Sequence, residues 1–135
     1  MPIAGFSFTK IYGERKGAPD KQEKIYNNVK ITNINEGKIM MGQDGAKDAL
    51  NISFEFSVDY GKAGKVELLG SIIYHETQQK VKSLLDGWNK DKKIPPEFVA
   101  LIYNFIFSKA NVKSLQLEEE VGLPLHLKLP RLKVK

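Results

Sequence analysis

The chain has 135 residues, 41% hydrophobic and 27% charged with 11 Gly and 6 Pro, enough for one folded domain burying roughly two-thirds of its unfolded surface and unlike a disordered or fibrous chain. It has no cysteine, which excludes disulfides, thiolate metal sites and cysteine nucleophiles and fits a reducing compartment. The net charge of +5 brings nucleic acid into view as a partner, but the lysines are spread along the sequence, the pattern of a solvated basic surface.

Met1 to Gly5 lack the basic and apolar regions of a secretory signal, and no stretch approaches the ~20 apolar residues of a membrane helix. A cytoplasmic protein without membrane insertion is the expectation. A first strand is predicted from Gly5 to Tyr12, with Phe6, Phe8 and Tyr12 at period two, and Glu14 to Lys24 is a polar loop containing Gly17 and Pro19. Val29 to Ile34 and Lys38 to Met41 flank Asn35-Glu36-Gly37 and read as a hairpin; Gln43 to Lys47 reads as a further turn.

The clearest strand runs from Asn51 to Tyr60, where Ile52, Phe54, Phe56, Val58 and Tyr60 alternate with polar residues. Gly61-Lys62-Ala63-Gly64 reverses the chain into a returning strand, Lys65 to His75. On that strand Val66, Leu68, Ile72 and Tyr74 line one face, while Leu69 and Ile73 are apolar on the other, which predicts a central position or a contact between subunits.

At Thr77 the period changes. Thr77 is an N-cap for a helix over Gln78 to Asn89, with Val81, Leu84, Leu85 and Trp88 on one side. Pro95-Pro96 opens a second helical segment, whose stretch Phe98 to Phe107 is apolar nearly all round and so must be covered on more than one side. Gly122 followed by Leu123-Pro124 is a helix stop, and Leu123 to Lys135, with Pro124 and Pro130, is an extended edge segment. The fold class expected is α+β in a single domain over residues 1–135: an antiparallel sheet of about four strands (1–76), two helices packed on one side (77–122) and an extended tail (123–135).

No constellation carries chemistry. His75 and His126 lack ligand-spaced partners and read as surface or structural residues; Glu118-Glu119-Glu120 point to different sides of a helix and read as a solvated face. There is no phosphate-binding glycine pattern and no nucleophile elbow. No catalytic residue, metal or cofactor is therefore expected. What the sequence holds in surplus is aromatic and aliphatic surface, the mark of contact with a partner.

The order of a strand hairpin (NISFEFSVDYGKAGKVELLGSIIYHE), a helix, Ile94-Pro95-Pro96-Glu97 opening a long apolar helix, then Val121-Gly122-Leu123-Pro124 and Leu129-Pro130 resembles the SecB-like chaperone family, particularly its archaeal-type members, over roughly residues 50 to 132. The resemblance implies a four-stranded antiparallel sheet backed by two helices, assembled as a homo-oligomer, dimer or tetramer. It also implies an ATP-independent holdase that keeps unfolded polypeptide clients in apolar grooves, with a link to protein export. The candidate client contacts are Phe54, Phe56, Tyr74, Trp88, Tyr103, Phe105 and Phe107, and the candidate contacts between subunits are Leu69, Ile73, Phe98 and Ile102. Bacterial members dock on the translocation motor through acidic charge, which this basic chain does not offer. The competing reading is a small basic nucleic-acid-binding module using Lys80, Lys82, Lys90, Lys92, Lys93 and the tail residues Lys128, Arg131, Lys133 and Lys135; Glu55 and Asp59 beside the strand aromatics count against it. A third, an enzyme or small-ligand carrier, needs convergent polar groups that the sequence does not display.

Overall fold

The computed structural model describes residues 3–18, 24–40 and 46–127. Four strands come first, β1 Ile3–Arg15, β2 Tyr26–Met40, β3 Ala46–Asp59 and β4 Gly64–Tyr74, followed by the helices α1 Gln78–Asp91 and α2 Pro96–Val121. All strand pairs are antiparallel and the sheet order is β1-β4-β3-β2. The first strand thus pairs with the last, and β1 and β2 form the two edges.

The alternation in β3 and β4 assigns the faces. Ile52, Phe54, Phe56 and Val58 pair with Ile72, Gly70, Leu68 and Val66. These apolar side chains are buried in one cluster with Val81, Leu84 and Trp88 of α1 and Phe98, Ile102, Ile106 and Ala110 of α2. Both helices therefore cover the same face, α1 lying over β3 and β2, α2 over β1 and β4. The opposite face carries Asn51, Ser53, Glu55 and Ser57 beside Glu67, Leu69, Ser71 and Ile73.

The β3–β4 hairpin forms where expected. Asp59 accepts the Gly61 amide at 2.7 Å, and a single 3-10 turn, Gly61–Ala63, reverses the chain. Gly64 leaves it at φ 146°, and a Cβ there would stand 2.0 Å from the Glu14 carbonyl oxygen, so only glycine lets the end of β1 close on the hairpin.

The predicted hairpin around Asn35-Glu36-Gly37 does not form. The chain runs straight through it within β2, pairing Asn35 with Asn51, Glu36 with Leu50 and Gly37 with Ala49. A tight two-residue reversal needs left-handed backbone, and the positive-φ glycines among the described residues are Gly61, Gly64 and Gly122. The turn expected at Gln43 to Lys47 falls mostly outside the described residues, although Lys47 already belongs to β3. Glu14 and Arg15, read as loop, extend β1 by pairing with Lys65 and Gly64.

Both helices carry the signals expected of them. The Thr77 hydroxyl accepts the Lys80 amide at 3.3 Å, capping α1, and Pro96 opens α2 from an N-cap at Pro95. At the end of α2, Gly122 is left-handed (φ 78°), with the Leu123 amide donating to the Glu118 carbonyl at 2.8 Å and the Gly122 amide to Glu119 at 3.4 Å. This paired closure satisfies two of the helix's last carbonyls.

Candidate functional site: the apolar flanks of α2 and the segment that follows it

Along α2 the residues buried most deeply are Phe98, Ile102, Ile106, Ala110, Ser114 and Glu118, each four positions after the last. Four residues exceed one turn by about 40°, so over five steps this stripe winds roughly 200° around the helix. A helix buried along a winding stripe needs apolar residues on every side, one turn after another. The near-continuous apolar run is largely this geometry, and its flanks remain part-open: Leu101, Tyr103, Phe105, Phe107 and Leu115 are half-buried and Val112 is 56% exposed. Phe105 leans on Phe6 of β1, ring centroids 5.6 Å apart.

Beyond Gly122 the chain turns back across the protomer. Leu123 is buried, the Pro124 carbonyl accepts the Tyr60 hydroxyl at 2.5 Å, and the His126 ring meets Phe56 edge to face at 6.0 Å. Glu118 anchors this segment. Its carboxylate accepts the His126 amide at 2.8 Å on one oxygen, and the His126 Nδ1–H at 2.7 Å together with the Ser114 hydroxyl on the other. His126 Nε2 faces the Asn111 side-chain oxygen at 2.9 Å. Both ring nitrogens thus lie on side-chain oxygens, and the Glu118 and His126 side chains are essentially without solvent contact.

Burial by itself would push the Glu118 carboxyl up. The hydrogen bonds from the His126 ring, Ser114 and the His126 amide, with the His126 charge, outweigh it and hold the carboxyl below its ordinary value. The Tyr60 phenol is pushed well up by burial and then by the Glu118 charge, so it remains a proton donor to Pro124. Leu125 and Leu127, which flank His126, are 38% and 41% exposed.

No protein-family model matches this chain, and no curated protein matches it in sequence. A solved structure is similar. It is a Mycobacterium tuberculosis SecB-like chaperone in complex with a ChAD peptide from the HigA1 antitoxin, superposing with a TM-score of 0.44 at 10% identity over 98% of this chain and 91% of that one. Likeness at that level carries no conclusion about family or activity, and nothing in it supports the narrower archaeal-type resemblance.

The structure divides the candidate contacts read from the sequence. Phe54, Phe56, Tyr74 and Trp88 are closed into the core at 8% exposure or less, so they offer no surface to a client while the helices stay on the sheet. Tyr103, Phe105 and Phe107 are half-buried on the flanks of α2. Of the residues assigned to subunit contact, Phe98 and Ile102 instead face their own sheet, Phe98 edge to face with Tyr74 at 4.9 Å. Leu69 and Ile73 are half-buried on the helix-free face.

The site centred on Glu118 is a correction. Glu118 is not part of a solvated face but fully buried, and His126 has a partner eight residues earlier. The sequence signal was the αL stop at Gly122, which sends the following residues back along the last turns of the helix. Of the lysines set aside for nucleic acid, Lys80 is paired with Glu76 at 3.8 Å and Lys92 lies 4.7 Å over the Trp88 ring, while the tail residues 128–135 lie outside the described residues. No described helix is long and apolar enough to cross a membrane.

Proposed function

We propose that this protein is an ATP-independent holdase that binds non-native polypeptides in extended form, acting in the cytoplasm as a homo-oligomer. One observation carries the reading: apolar side chains left open on α2 and on the segment after it, with Val112, Leu125 and Leu127 between 38% and 56% exposed and Tyr103, Phe105 and Phe107 half-buried earlier along the helix. Burying one such side chain contributes about 1.5–3 kcal/mol, against an association cost of about 4–15 kcal/mol. Several contacts are needed to hold a client, and no single one fixes its sequence. The resemblance of residues 50 to 132 to SecB-like chaperones points the same way.

Contact between copies is assigned to Leu69 and Ile73, the apolar pair among the helix-free positions of β3 and β4. Suppression of light scattering from a heat-labile client tests the holdase, and sizing by multi-angle scattering tests the oligomer. Client protection should survive high salt, because apolar contact is not screened. No protection at a tenfold excess of chaperone would remove the reading; protection that vanishes with salt would favour the basic-module alternative.

A further inference from the structure

Leu123 to Leu127 is a short apolar stretch rooted by the buried Leu123 side chain and held beyond it largely through its main chain. The Leu123 amide belongs to the closure of α2, and beyond it the Pro124 carbonyl accepts from Tyr60 and the His126 amide donates to the Glu118 carboxylate. Partners of main-chain atoms do not read sequence, so Tyr60 and the Glu118 carboxylate would hold the main chain of any extended peptide placed there. The one side chain read specifically is His126, set between the Glu118 carboxylate and Asn111 with its edge to Phe56. Were it withdrawn, the buried carboxylate would keep the Ser114 hydroxyl but lose both His126 donors and the charge opposite it, which calls for another cationic donor in its place. The hinge is also present: Gly122 is left-handed, where a glycine changes conformation at least cost.

We propose that Phe56, Tyr60, Asn111 and Glu118 form a peptide-binding site that this chain occupies in cis with its own Leu123–Leu127, and that the site takes in trans an extended apolar peptide carrying a cationic side chain at the His126 position. The cis segment is a competitive plug. Being tethered, it acts at an effective concentration on the order of millimolar, so it admits only ligands that are abundant or multivalent. This inference deepens the holdase reading and rests on it for its cellular meaning; the site itself stands on the contacts above.

The test uses the full chain and a synthetic acetylated, amidated Leu-Pro-Leu-His-Leu peptide, with binding read by calorimetry or fluorescence anisotropy. His126→Ala should bind this peptide at least tenfold more tightly than the wild type, and a peptide with Ala in place of His should lose that gain. Tyr60→Phe, which removes the bond to Pro124 and the hydroxyl's interaction with Glu118, should lower the exchange protection of the Leu125, His126 and Leu127 amides severalfold. A peptide in trans would lose the same bond, so the exchange readout of Tyr60→Phe, not its affinity, is the second measurement if His126→Ala fails to fold. A folded His126→Ala that binds the peptide no better than the wild type, or a folded Tyr60→Phe whose plug amides stay equally protected, overturns the site. Peptide binding by the variants together with no client protection by any form would instead sink the holdase reading and leave the site standing.

Discussion

The Phe54 ring lies across the bare Cα of Gly70, its cross-strand partner on β4: a Cβ there would stand 2.6 Å from Phe54 Cζ and 2.5 Å from the Ser7 carbonyl oxygen. The missing side chain lets Phe54 stack on Phe6, centroids 5.6 Å apart, while β1 stays paired to β4. Gly70→Ala should therefore overpack the centre of the sheet and lower stability by about 1–3 kcal/mol. Urea unfolding at unchanged slope measures it, and a loss below about 0.5 kcal/mol would show that the ring has room to move.

The Glu118 carboxylate makes stability depend on pH in a definite direction. Its carboxyl lies below the ordinary 4.5 in the folded protein, so the folded state favours the charged form, and the stabilisation is fully present above pH 4.5. It is lost as pH falls through the lowered folded value, where protonation removes the acceptor of the His126 and Ser114 bonds. Thermal melts of the wild type and Glu118→Gln should converge as pH falls below 4.5. Replacement by Ala at pH 7 should cost about 3–5 kcal/mol, the usual penalty for breaking a buried pair by removing one partner. A difference that stays constant down to pH 3 would assign the acid sensitivity to other groups.

Much of this fold was legible because strand alternation and helix caps are local signals. Phe54, Phe56, Leu68 and Ile72 face the helices as their period demands, and Thr77 and Gly122 bound the helices they were expected to bound. Asn35-Glu36-Gly37 misled because turn composition is permissive: an extended partner strand, here β3, overrides it when every residue finds a ladder position. Glu118 misled because adjacency on a helix says only that three carboxylates diverge, not that one of them meets a chain returning from beyond the helix end. The all-round apolarity of α2 signalled burial correctly, but period alone could not separate a second partner from a stripe that winds about the helix.

Thr77 tests how much α1 depends on its cap. Its hydroxyl accepts the Lys80 amide at 3.3 Å, beside a Glu76–Lys80 ion pair too exposed to count for much. Thr77→Ala should cost about 1 kcal/mol and Thr77→Ser little, read as shifts in denaturation midpoint. Equal losses would place the role of Thr77 in its methyl group.

The client surface is best tested where stability and binding separate. Val112 is 56% exposed and outside the buried stripe, so Val112→Lys should leave unfolding within about 0.5 kcal/mol of the wild type. If Val112 contacts clients, the same change removes an apolar contact worth about 1.5 kcal/mol, which is roughly tenfold in affinity for a single site. Added positive charge could weaken or strengthen binding by itself, so Gln116→Lys, also exposed on α2, is the matched control. Val112→Lys should need several times more protein for the same suppression of scattering, and Gln116→Lys should not. Equal behaviour of the two variants would mean that clients do not use this part of the helix.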